Sequence, residues 1–337
     1  MLNQSVLRLF VRNVVIGFAS AWLAFANGPA LAEDKSIEFM RMGIPHDSLY
    51  AIDFHGEKGT AIGGFGTIME STDGGQTWTQ APAITPAALL AVKIGEEKSL
   101  MVGQSGTVAT REGDGAWELI DSGIEQRLLG VGMNSQGLAV VVGEFGYVAK
   151  STDFGKTWSP LTQDWLNLTE EGYEPHLYDA EVFEDGRILI AGEFGVIMNS
   201  TDGGASFDMS NRADQSVFDV HFANDGTNSG WAVGQDGFVA VTKDNGLSWE
   251  RKDAGAESNL LGVWSGNGEI VICGIRSLLR SSDDGASWTF SEDLNIIRTW
   301  FQGIDAGVVE TTVGEGFLRQ QIVYLAGFSG AIARVME

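Results

Sequence analysis

One unit is repeated along almost the whole sequence, and it constrains the fold more than any other feature. Its clearest copy reads AIGGFGTIMESTDGGQTW and runs from Ala61 to Trp78. Each copy contains a short apolar stretch, a turn and a second short stretch. The turn is Gly-x-x-Gly in six copies and Gly-Ile-Arg-Ser at 274–277, and the complete copies continue into Ser-x-Asp-x-Gly-x-x-Trp or a close variant. The first glycine of the turn falls at positions 63, 103, 143, 192, 234, 274 and 327, so the sequence contains seven copies.

The spacing of the repeat predicts a β-propeller. A period near forty residues with several strands per copy is typical of propeller blades, whose sheets cover their faces only by packing against neighbouring sheets. We therefore predict an all-β fold, a seven-bladed β-propeller of four-stranded antiparallel blades, formed as a single domain by residues 33–337. In blade one the pattern predicts strands A to D at 48–54, 59–64, 67–72 and 77–81.

Both ends of the repeat array are incomplete. Residues 36–42 resemble the outermost strand of a blade, but they precede the first complete copy. The seventh copy, in contrast, ends at Glu337 without such a strand. Because a closed ring leaves no exposed sheet edge, we predict that the N-terminal strand completes blade seven.

The first 32 residues have the composition of a secretory signal peptide. Two arginines precede an apolar run from Val14 to Ala26, and Ala30 and Ala32 provide the small residues of a cleavage site. The alternative is a single membrane anchor, for which the apolar run is short. We expect export to the periplasm, or to an equivalent lumenal compartment, with cleavage after Ala32.

The chain is strongly acidic, with 45 Asp and Glu residues, 21 Lys and Arg residues and a net charge of −24. Removal of the first 32 residues takes away two basic residues and no acidic one, which leaves −26. Such a surface repels phosphate backbones and anionic lipid headgroups, so we expect no nucleic-acid partner. We also expect at most a peripheral contact with a membrane, and a monomer. Cys273 is the single cysteine, so no intrachain disulfide can form.

The motif Ser-x-Asp-x-Gly-x-x-Trp is the Asp-box, or BNR motif. Its aspartate can accept hydrogen bonds from nearby N–H groups, its glycines permit positive φ, and its aromatic residue can fill the gap between blades. We therefore interpret the motif as structural. Its residues are Asp73, Trp78, Asp153, Trp158, Asp202, Phe207, Asp244, Trp249, Asp283 and Trp288. The second copy has Glu112 in place of the aspartate and Asp114 in place of a glycine, so blade two should be the least regular.

The Gly-x-x-Gly turn and the Asp-box together point to fewer protein families than either motif alone. A sevenfold repeat in which Gly-x-x-Gly turns stand at a fixed distance before Asp-boxes resembles the photosystem II stability and assembly factor family, including its bacterial relatives outside photosynthesis. The resemblance covers residues 36–337 and implies a non-enzymatic propeller, without a cofactor, that docks on membrane-protein subunits. For the bacterial relatives it implies a link with exporters of the resistance-nodulation-division type. Photosynthetic members present a basic patch, whereas this chain is acidic, which favours another membrane partner.

Blade geometry places the Gly-x-x-Gly turns and the beginnings of the A strands on one face, and the Asp-box turns on the other. We predict that the first face binds the partner through apolar anchors and charged neighbours. The alternative is that the phenylalanines of the turns fold inward and pack the blades. The predicted contacts are Phe65, Glu144, Phe145, Glu193, Phe194 and Arg276 in the turns, Arg127, His176, Asn259 and Arg298 before the A strands, and Trp165 in a long link.

Two stretches exceed the repeat period. Residues 159–175 form the long link after blade three, in which Trp165, Leu166 and Tyr173 are expected to be exposed. Residues 305–319 are expected to form a long A-to-B loop in blade seven. Such loops on a rigid scaffold are often functional, and the alternative is that they are insertions without a function. The A strands have apolar residues on both faces, which predicts that they are buried near the axis.

A sialidase-like or other glycan-acting enzyme is the catalytic alternative, because sialidases also use Asp-box propellers. Arg127, Arg276 and Arg298 could converge on a carboxylate, but the Arg-Ile-Pro signature of sialidases is absent and no tyrosine has an evident catalytic place. The four histidines have no ligand spacing, so we expect no metal site.

Overall fold

The computed structural model describes residues 35–169, 172–223, 226–313 and 316–336. The predicted secretory signal lies outside these ranges. Within them, no helix is long and apolar enough to cross a membrane.

The described residues form seven four-stranded antiparallel sheets, and each sheet is one blade. β1 (Ile37–Arg41) precedes blade one and belongs to blade seven. Blade one consists of β2 (Leu49–His55), β3 (Lys58–Gly63), β4 (Ile68–Ser71) and β5 (Thr79–Ala81). Blade two consists of β6 (Leu89–Ile94), β7 (Lys98–Gly103), β8 (Val108–Glu112) and β9 (Glu118–Ile120). Blade three consists of β10 (Leu128–Met133), β11 (Ala139–Gly143), β12 (Val148–Ser151) and β13 (Ser159–Pro160).

The remaining blades follow the same order of strands. A short helix, α1 (Trp165–Leu168), precedes blade four, which has β14 (Leu177–Val182), β15 (Ile188–Gly192), β16 (Ile197–Ser200) and β17 (Asp208–Asn211). Blade five has β18 (Val217–Phe222), β19 (Gly230–Gly234), β20 (Val239–Thr242) and β21 (Glu250–Arg251). Blade six has β22 (Leu260–Gly266), β23 (Glu269–Gly274), β24 (Ser277–Ser281) and β25 (Thr289–Phe290). After α2 (Leu294–Ile297), blade seven has β26 (Phe301–Val313), β27 (Gly316–Gly327) and β28 (Ile332–Val335).

Apolar side chains pack between neighbouring blades. The described residues contain seven buried clusters, one for each pair of neighbouring blades, and one of these joins blades one and seven. In that cluster Leu49 and Met69 pack with Tyr324 and Ile332, and Trp78 packs against them. Because burial of apolar surface is the main force that stabilises a fold, an open array would leave two such faces in water. The predicted closed ring is confirmed.

The two ends of the propeller meet in blade seven. β1 pairs antiparallel with β28, and Ile37 lies opposite Val335. The backbone N–H of Ser36 donates to Asp293 Oδ2 at 3.1 Å, and the backbone N–H of Met336 donates to the Ser36 carbonyl at 2.9 Å. The N-terminal strand therefore supplies the outermost strand of blade seven, as the sequence predicts.

The two faces of the ring carry different loops. On the first face, which we call the turn face, the Gly-x-x-Gly turns lie beside the beginnings of the A strands, and Gly64 N–H donates to the Ser48 carbonyl at 3.0 Å. On the second face, which we call the Asp-box face, the Asp-box turns lie beside the A-to-B loops, and Gly74 N–H donates to the Glu57 carbonyl at 2.8 Å.

Two long stretches differ from the sequence expectation. Residues 305–313 and 316–319 belong to strands and not to a loop, since β26 and β27 pair in register from Gly303 opposite Ala326 to Val313 opposite Gly316. The run of Val and Thr residues from 308 to 313 favours strands, which explains the longer hairpin. The link after blade three contains α1, and Asp164 caps this helix by accepting a hydrogen bond from the Asn167 N–H.

Candidate protein-binding face and central channel

Each complete Asp-box folds into a closed network of hydrogen bonds. In blade one, Thr77 donates its backbone N–H to Asp73 Oδ1 at 2.9 Å and its hydroxyl to Asp73 Oδ2 at 2.6 Å. Ser71 Oγ donates to Asp73 Oδ1 at 2.8 Å and accepts from the Gly75 N–H at 2.9 Å. The same arrangement recurs at Asp153, Asp202, Asp244 and Asp283. Both carboxylate oxygens are therefore used inside each turn.

These hydrogen bonds stabilise the charged form of the Asp-box carboxylates. Hydrogen bonds from the side chain and backbone of Ser287 lower the pKa of Asp283 to about 2. Hydrogen bonds from Ser206 lower the pKa of Asp202 further still. A carboxylate held in this state is a poor proton donor at neutral pH, so the geometry fits a turn-forming role and not acid catalysis.

Blade two replaces the Asp-box network with ion pairs. Glu112 Oε2 lies 2.6 Å from Lys98 Nζ, and Asp114 Oδ1 lies 2.6 Å from Lys58 Nζ. Both acidic side chains are largely exposed. The C-to-D turn of this blade thus depends on contacts with other strands, in agreement with the irregular motif.

Three turns on the turn face present phenylalanine to solvent. The side chains of Phe65, Phe145 and Phe194 are 77%, 63% and 48% exposed. Each has a φ near +56°, a left-handed conformation that costs a residue other than glycine about 1–2 kcal/mol. The alternative in which these rings pack inward is therefore wrong for these three residues. Phe328, in contrast, does pack inward, against Phe39 and Phe301 in blade seven.

The acidic residues of these turns bind backbone of their own blade. Glu144 Oε1 accepts the Arg127 N–H at 3.2 Å, and Glu193 Oε2 accepts the His176 N–H at 2.8 Å. Glutamines at the same position act alike, since Gln104 Oε1 accepts the Ala88 N–H at 3.2 Å. The repeated Gln or Glu after the first glycine therefore fixes the turn to the beginning of strand A.

The turns of blades three and four join into one continuous surface, which we call the phenylalanine strip: Arg127, Glu144, Phe145, His176, Glu193 and Phe194. Arg127 Nη2 lies 3.3 Å from Glu144 Oε2, and His176 Nδ1 lies 3.2 Å from Glu193 Oε2. The rings of Phe145 and His176 have centroids 5.1 Å apart. Tyr173 extends the strip, with its ring centroid 4.5 Å from that of Phe194. Six of the predicted contacts thus lie together.

The other predicted contacts lie elsewhere. Asn259 Oδ1 accepts the Asp236 N–H at 3.1 Å and so links the turn of blade five to blade six. Arg276 and Arg298 are exposed on the turn face at blade six, where Arg276 N–H donates to the Thr299 carbonyl at 2.8 Å. Phe65 lies alone in blade one.

The expectation that Trp165 is exposed is wrong. Its side chain is only 8% exposed and belongs to the cluster between blades three and four. The indole lies directly against Gly146, where a Cβ atom would be 2.5 Å from Trp165 Nε1. Leu166, the next residue, is 75% exposed, as expected. Trp165 therefore packs the link against blades three and four and is not available to a partner.

A cavity of about 500 Å³ lies on the axis of the ring, between the A strands. Its wall carries charged and titratable side chains: Asp53, Lys93, Asp179, Glu181, Asp219, His221 and Asp305. The expectation that the A strands are apolar on both faces is therefore wrong for the side that faces the axis. The sequence contains a signal for this channel, because the fifth residue of the A strand is charged in LYAID, LLAVK and LYDAE.

The channel aspartates link successive blades. Asp179 Oδ2 accepts the Val220 N–H at 3.0 Å, and Asp219 Oδ2 accepts the Val263 N–H at 2.7 Å. Asp305 Oδ2 accepts the Phe54 N–H at 2.6 Å and so joins blade seven to blade one. In each pair the acceptor belongs to one blade and the donor to the next.

Burial raises the pKa of most channel carboxylates. Desolvation raises the pKa of Asp179 to about 7, and the nearby Asp219 adds to this effect. Desolvation likewise raises the pKa of Glu181, Asp219 and Asp305 to about 7. Lys93 is the basic partner, with Nζ 3.0 Å from Asp53 Oδ1, and the coulombic attraction of Asp53 raises the pKa of Lys93.

The geometry of the described residues does not favour the sialidase alternative. Arg127 is already paired with Glu144, and Arg276 and Arg298 are exposed at blade six. Tyr178 OH is 3.3 Å from Glu193 Oε1, but burial and the Glu193 charge raise the pKa of Tyr178 to about 12. An activated nucleophile requires the opposite shift. The described residues also contain no group of three His, Cys, Asp or Glu side chains placed to hold a metal ion.

The fold and the repeated turns define a class: the protein is a seven-bladed β-propeller with Asp-box repeats. The model of the BNR/Asp-box repeat matches residues 69–80 and 149–160. No curated protein compared with the sequence matches it.

Among solved structures, the chain is similar to YCF48. A structure of YCF48 bound to D1 peptide has 18% identity and a TM-score of 0.68, and the match covers 90% of this chain and 96% of that one. YCF48 from Cyanidioschyzon merolae has 17% identity and a TM-score of 0.66 over 89% and 98% of the two chains. The WD40 propeller domain of Doa1 has 13% identity and a TM-score of 0.65 over 89% and 97%. The expected resemblance to a YCF48-like propeller is confirmed at the level of the fold.

Proposed function

We propose that the protein is a non-catalytic, exported scaffold that binds a segment of a membrane protein through its turn face. In this role it acts as an accessory or assembly factor for a membrane complex, with an exporter of the resistance-nodulation-division type as the first candidate. The protein acts as a monomer and uses no cofactor.

One observation carries this proposal: Phe145 and Phe194 are exposed in the turns of neighbouring blades, each in a conformation that disfavours bulky residues. The positive φ recurs at this position of the other turns, so it belongs to the turn and directs the residue outward. Exposed aromatic residues held in this way are suitable anchors for a protein interface. The similarity in fold to YCF48, which has been solved with a bound D1 peptide, supports the same mode of action. The net charge of −24 argues against nucleic acid as the partner.

A site-specific photocrosslinker tests the proposal in cells that make the protein. Benzoylphenylalanine is placed at Phe145 in one tagged variant and at Leu247 in another. Leu247 is a matched control because it is also exposed, at 58%, but lies in the Asp-box turn of blade five. We expect a membrane protein to be crosslinked from position 145 and not from position 247.

A second variant tests the contribution of the anchors. In a pull-down with the tagged protein that carries no crosslinker, the pair Phe145→Ala and Phe194→Ala should lower the recovery of the same membrane protein, since each change removes an exposed aromatic contact without altering a buried one. Leu247→Ala should leave recovery unchanged. Equal recovery from both variants, or turnover of a sialoside by the purified protein, would overturn the proposal.

A further inference from the structure

The surroundings of the phenylalanine strip indicate which chemistry its partner must have. A groove of about 400 Å³ lies beside Phe194, with Leu168, Tyr173 and Val196 in its wall and Arg212 and Asp214 at its edge. Arg212 donates to the Leu168 carbonyl, so part of its hydrogen-bonding capacity is used inside the protein. The groove is large enough for an apolar side chain of a bound peptide, and the ring of Phe194 forms one side of it.

Exposed carboxylates surround the strip on the same face. Asp121 and Glu125 lie in the link that leads to blade three, Asp164 and Glu174 lie in the link to blade four, and Asp214 follows blade four. All five are exposed, and none forms a salt bridge with another described residue. Four of these carboxylates are therefore available to a partner, and the fifth, Asp164, also caps α1.

The basic groups of the strip do not offset these charges. Arg127 pairs with Glu144, and His176 lies against Glu193. The potential over blades three and four is consequently negative, in keeping with the charge of the whole chain.

Exposed aromatic rings beside carboxylates are well suited to Lys and Arg side chains. The face of Phe145 or Phe194 can attract a cation by its quadrupole, while a neighbouring carboxylate supplies an ion pair. An acidic partner segment would meet unpaired carboxylates on both sides, which disfavours it strongly.

We propose that the segment bound across blades three and four is a basic stretch of polypeptide that places an aliphatic or aromatic side chain in the groove beside Phe194. This inference rests on the proposed function, because it specifies the partner of the same face. It assigns affinity to the apolar anchor and selectivity to the carboxylates of the two links.

Binding of three labelled peptides to the purified protein tests this inference by fluorescence anisotropy. In the first peptide lysines alternate with phenylalanine and leucine; in the second glutamate replaces each lysine; in the third serine replaces each apolar residue. We expect the first peptide to bind at least about tenfold more tightly than either of the others, and to weaken as salt is raised. Equal affinity for all three, or preference for the acidic peptide, would overturn the inference.

Paired variants locate the site of binding. Glu174→Lys with Asp214→Lys reverses two charges beside the strip, and Phe145→Ala with Phe194→Ala removes the anchors. Each pair should weaken binding of the first peptide about tenfold. The control is Glu57→Lys with Glu96→Lys, which makes the same charge change at exposed residues of the Asp-box face and should have little effect. Equal loss in the control would show that net charge alone is responsible and would overturn the inference.

The segment crosslinked from position 145 separates the two proposals. If a membrane protein is captured there and the crosslinked peptide is rich in Lys or Arg, both are supported. If the captured segment is acidic or uncharged, the proposed function stands and the basic-segment inference is wrong. If no membrane protein is captured, the proposed function fails. The peptide titrations still measure whether the turn face prefers a basic peptide to an acidic one.

Discussion

The Asp-box turns and the central channel both contain a repeated aspartate, yet the pKa values of the two sets shift in opposite directions. Asp73 lies near the outer part of its blade and accepts hydrogen bonds from the side chain and backbone of its own turn. Asp219 lies on the axis and accepts the N–H of Val263 from the next blade. Hydrogen bonds lower the pKa of the Asp-box carboxylates, whereas desolvation raises the pKa of those in the channel. The difference shows that environment, and not residue type, sets the energetic role of a repeated side chain.

The largest expected effect of this difference is on the pH dependence of stability. Channel carboxylates have a folded pKa of about 7, above the unfolded value, so their ionisation destabilises the folded state as pH rises through 7. Asp-box carboxylates have a folded pKa below the unfolded value, so their stabilising effect is lost as pH falls below about 4. We expect the free energy of unfolding to reach a maximum near about pH 4 to 5, to fall by several kcal/mol by about pH 8, and to change little above that pH.

Urea denaturation at a series of pH values measures this profile. Tryptophan fluorescence and circular dichroism should give the same midpoints if the ring unfolds as one unit. A free energy of unfolding that stays constant or rises from pH 6 to pH 9 would contradict the assignment of raised pKa values to the channel.

The next effect comes from the aromatic residue of the Asp-box. Trp78 packs against Phe54 and Tyr324 between blades one and seven. We expect Trp78→Ala to lower the free energy of unfolding by about 3 kcal/mol, through lost packing. Because no titrating group is removed, the loss should be the same at pH 6 and pH 8. Leu247→Ala, at an exposed position of another Asp-box, is the control and should change little.

Substitution of an Asp-box aspartate should cost less. Asp73→Asn keeps the shape of the side chain but removes the charge that accepts hydrogen bonds from Thr77. We expect a loss of about 1–2 kcal/mol at pH 7, measured by urea denaturation. The same change at Asp114 should have a smaller effect, because that carboxylate pairs only with Lys58 at the surface. A neutral Asp73→Asn variant would show that the turn does not depend on the charge.

The smallest expected effect has the opposite sign. Asp219→Asn retains an oxygen that can accept the Val263 N–H, and it removes a buried charge. At pH 8.5 we expect the variant to be more stable than the parent by about 1 kcal/mol, since a buried charge is replaced by a neutral group. The difference should shrink as pH falls and disappear below about pH 4, where the carboxyl is protonated in both the folded and the unfolded state. Destabilisation at pH 8.5 would indicate that the negative charge itself holds the channel together.

Much of the architecture could be predicted from the sequence, because it depends on local and repeated signals. The spacing of Gly63, Gly103 and its equivalents gives the number of blades, and the misplaced strand at 36–42 indicates how the ring closes. The three exposed phenylalanines could be placed on the correct face, although their outward orientation could not be decided, since it depends on a turn with positive φ at a residue other than glycine.

Other features depend on contacts between distant parts of the chain. The burial of Trp165 requires that Gly146, in the turn of the preceding blade, has no side chain. The charge of the channel results from A strands of different blades that share one axis, so no single repeat shows it. Even so, the recurrence of a charged residue at one position of an apolar strand is a signal that can be used in similar sequences.

The pairing of the N-terminal strand with the last strand of blade seven also determines when folding of the ring can finish. β1 is among the first described segments to be synthesised, and its partner β28 is among the last. Their pairing can therefore form only near the end of biosynthesis. Until then blades one to six can stack in sequence, but the cluster between blades one and seven lacks one side. A ribosome that stalls before β28 therefore releases a chain with two unsatisfied sheet edges, which quality-control proteases can recognise as unfinished.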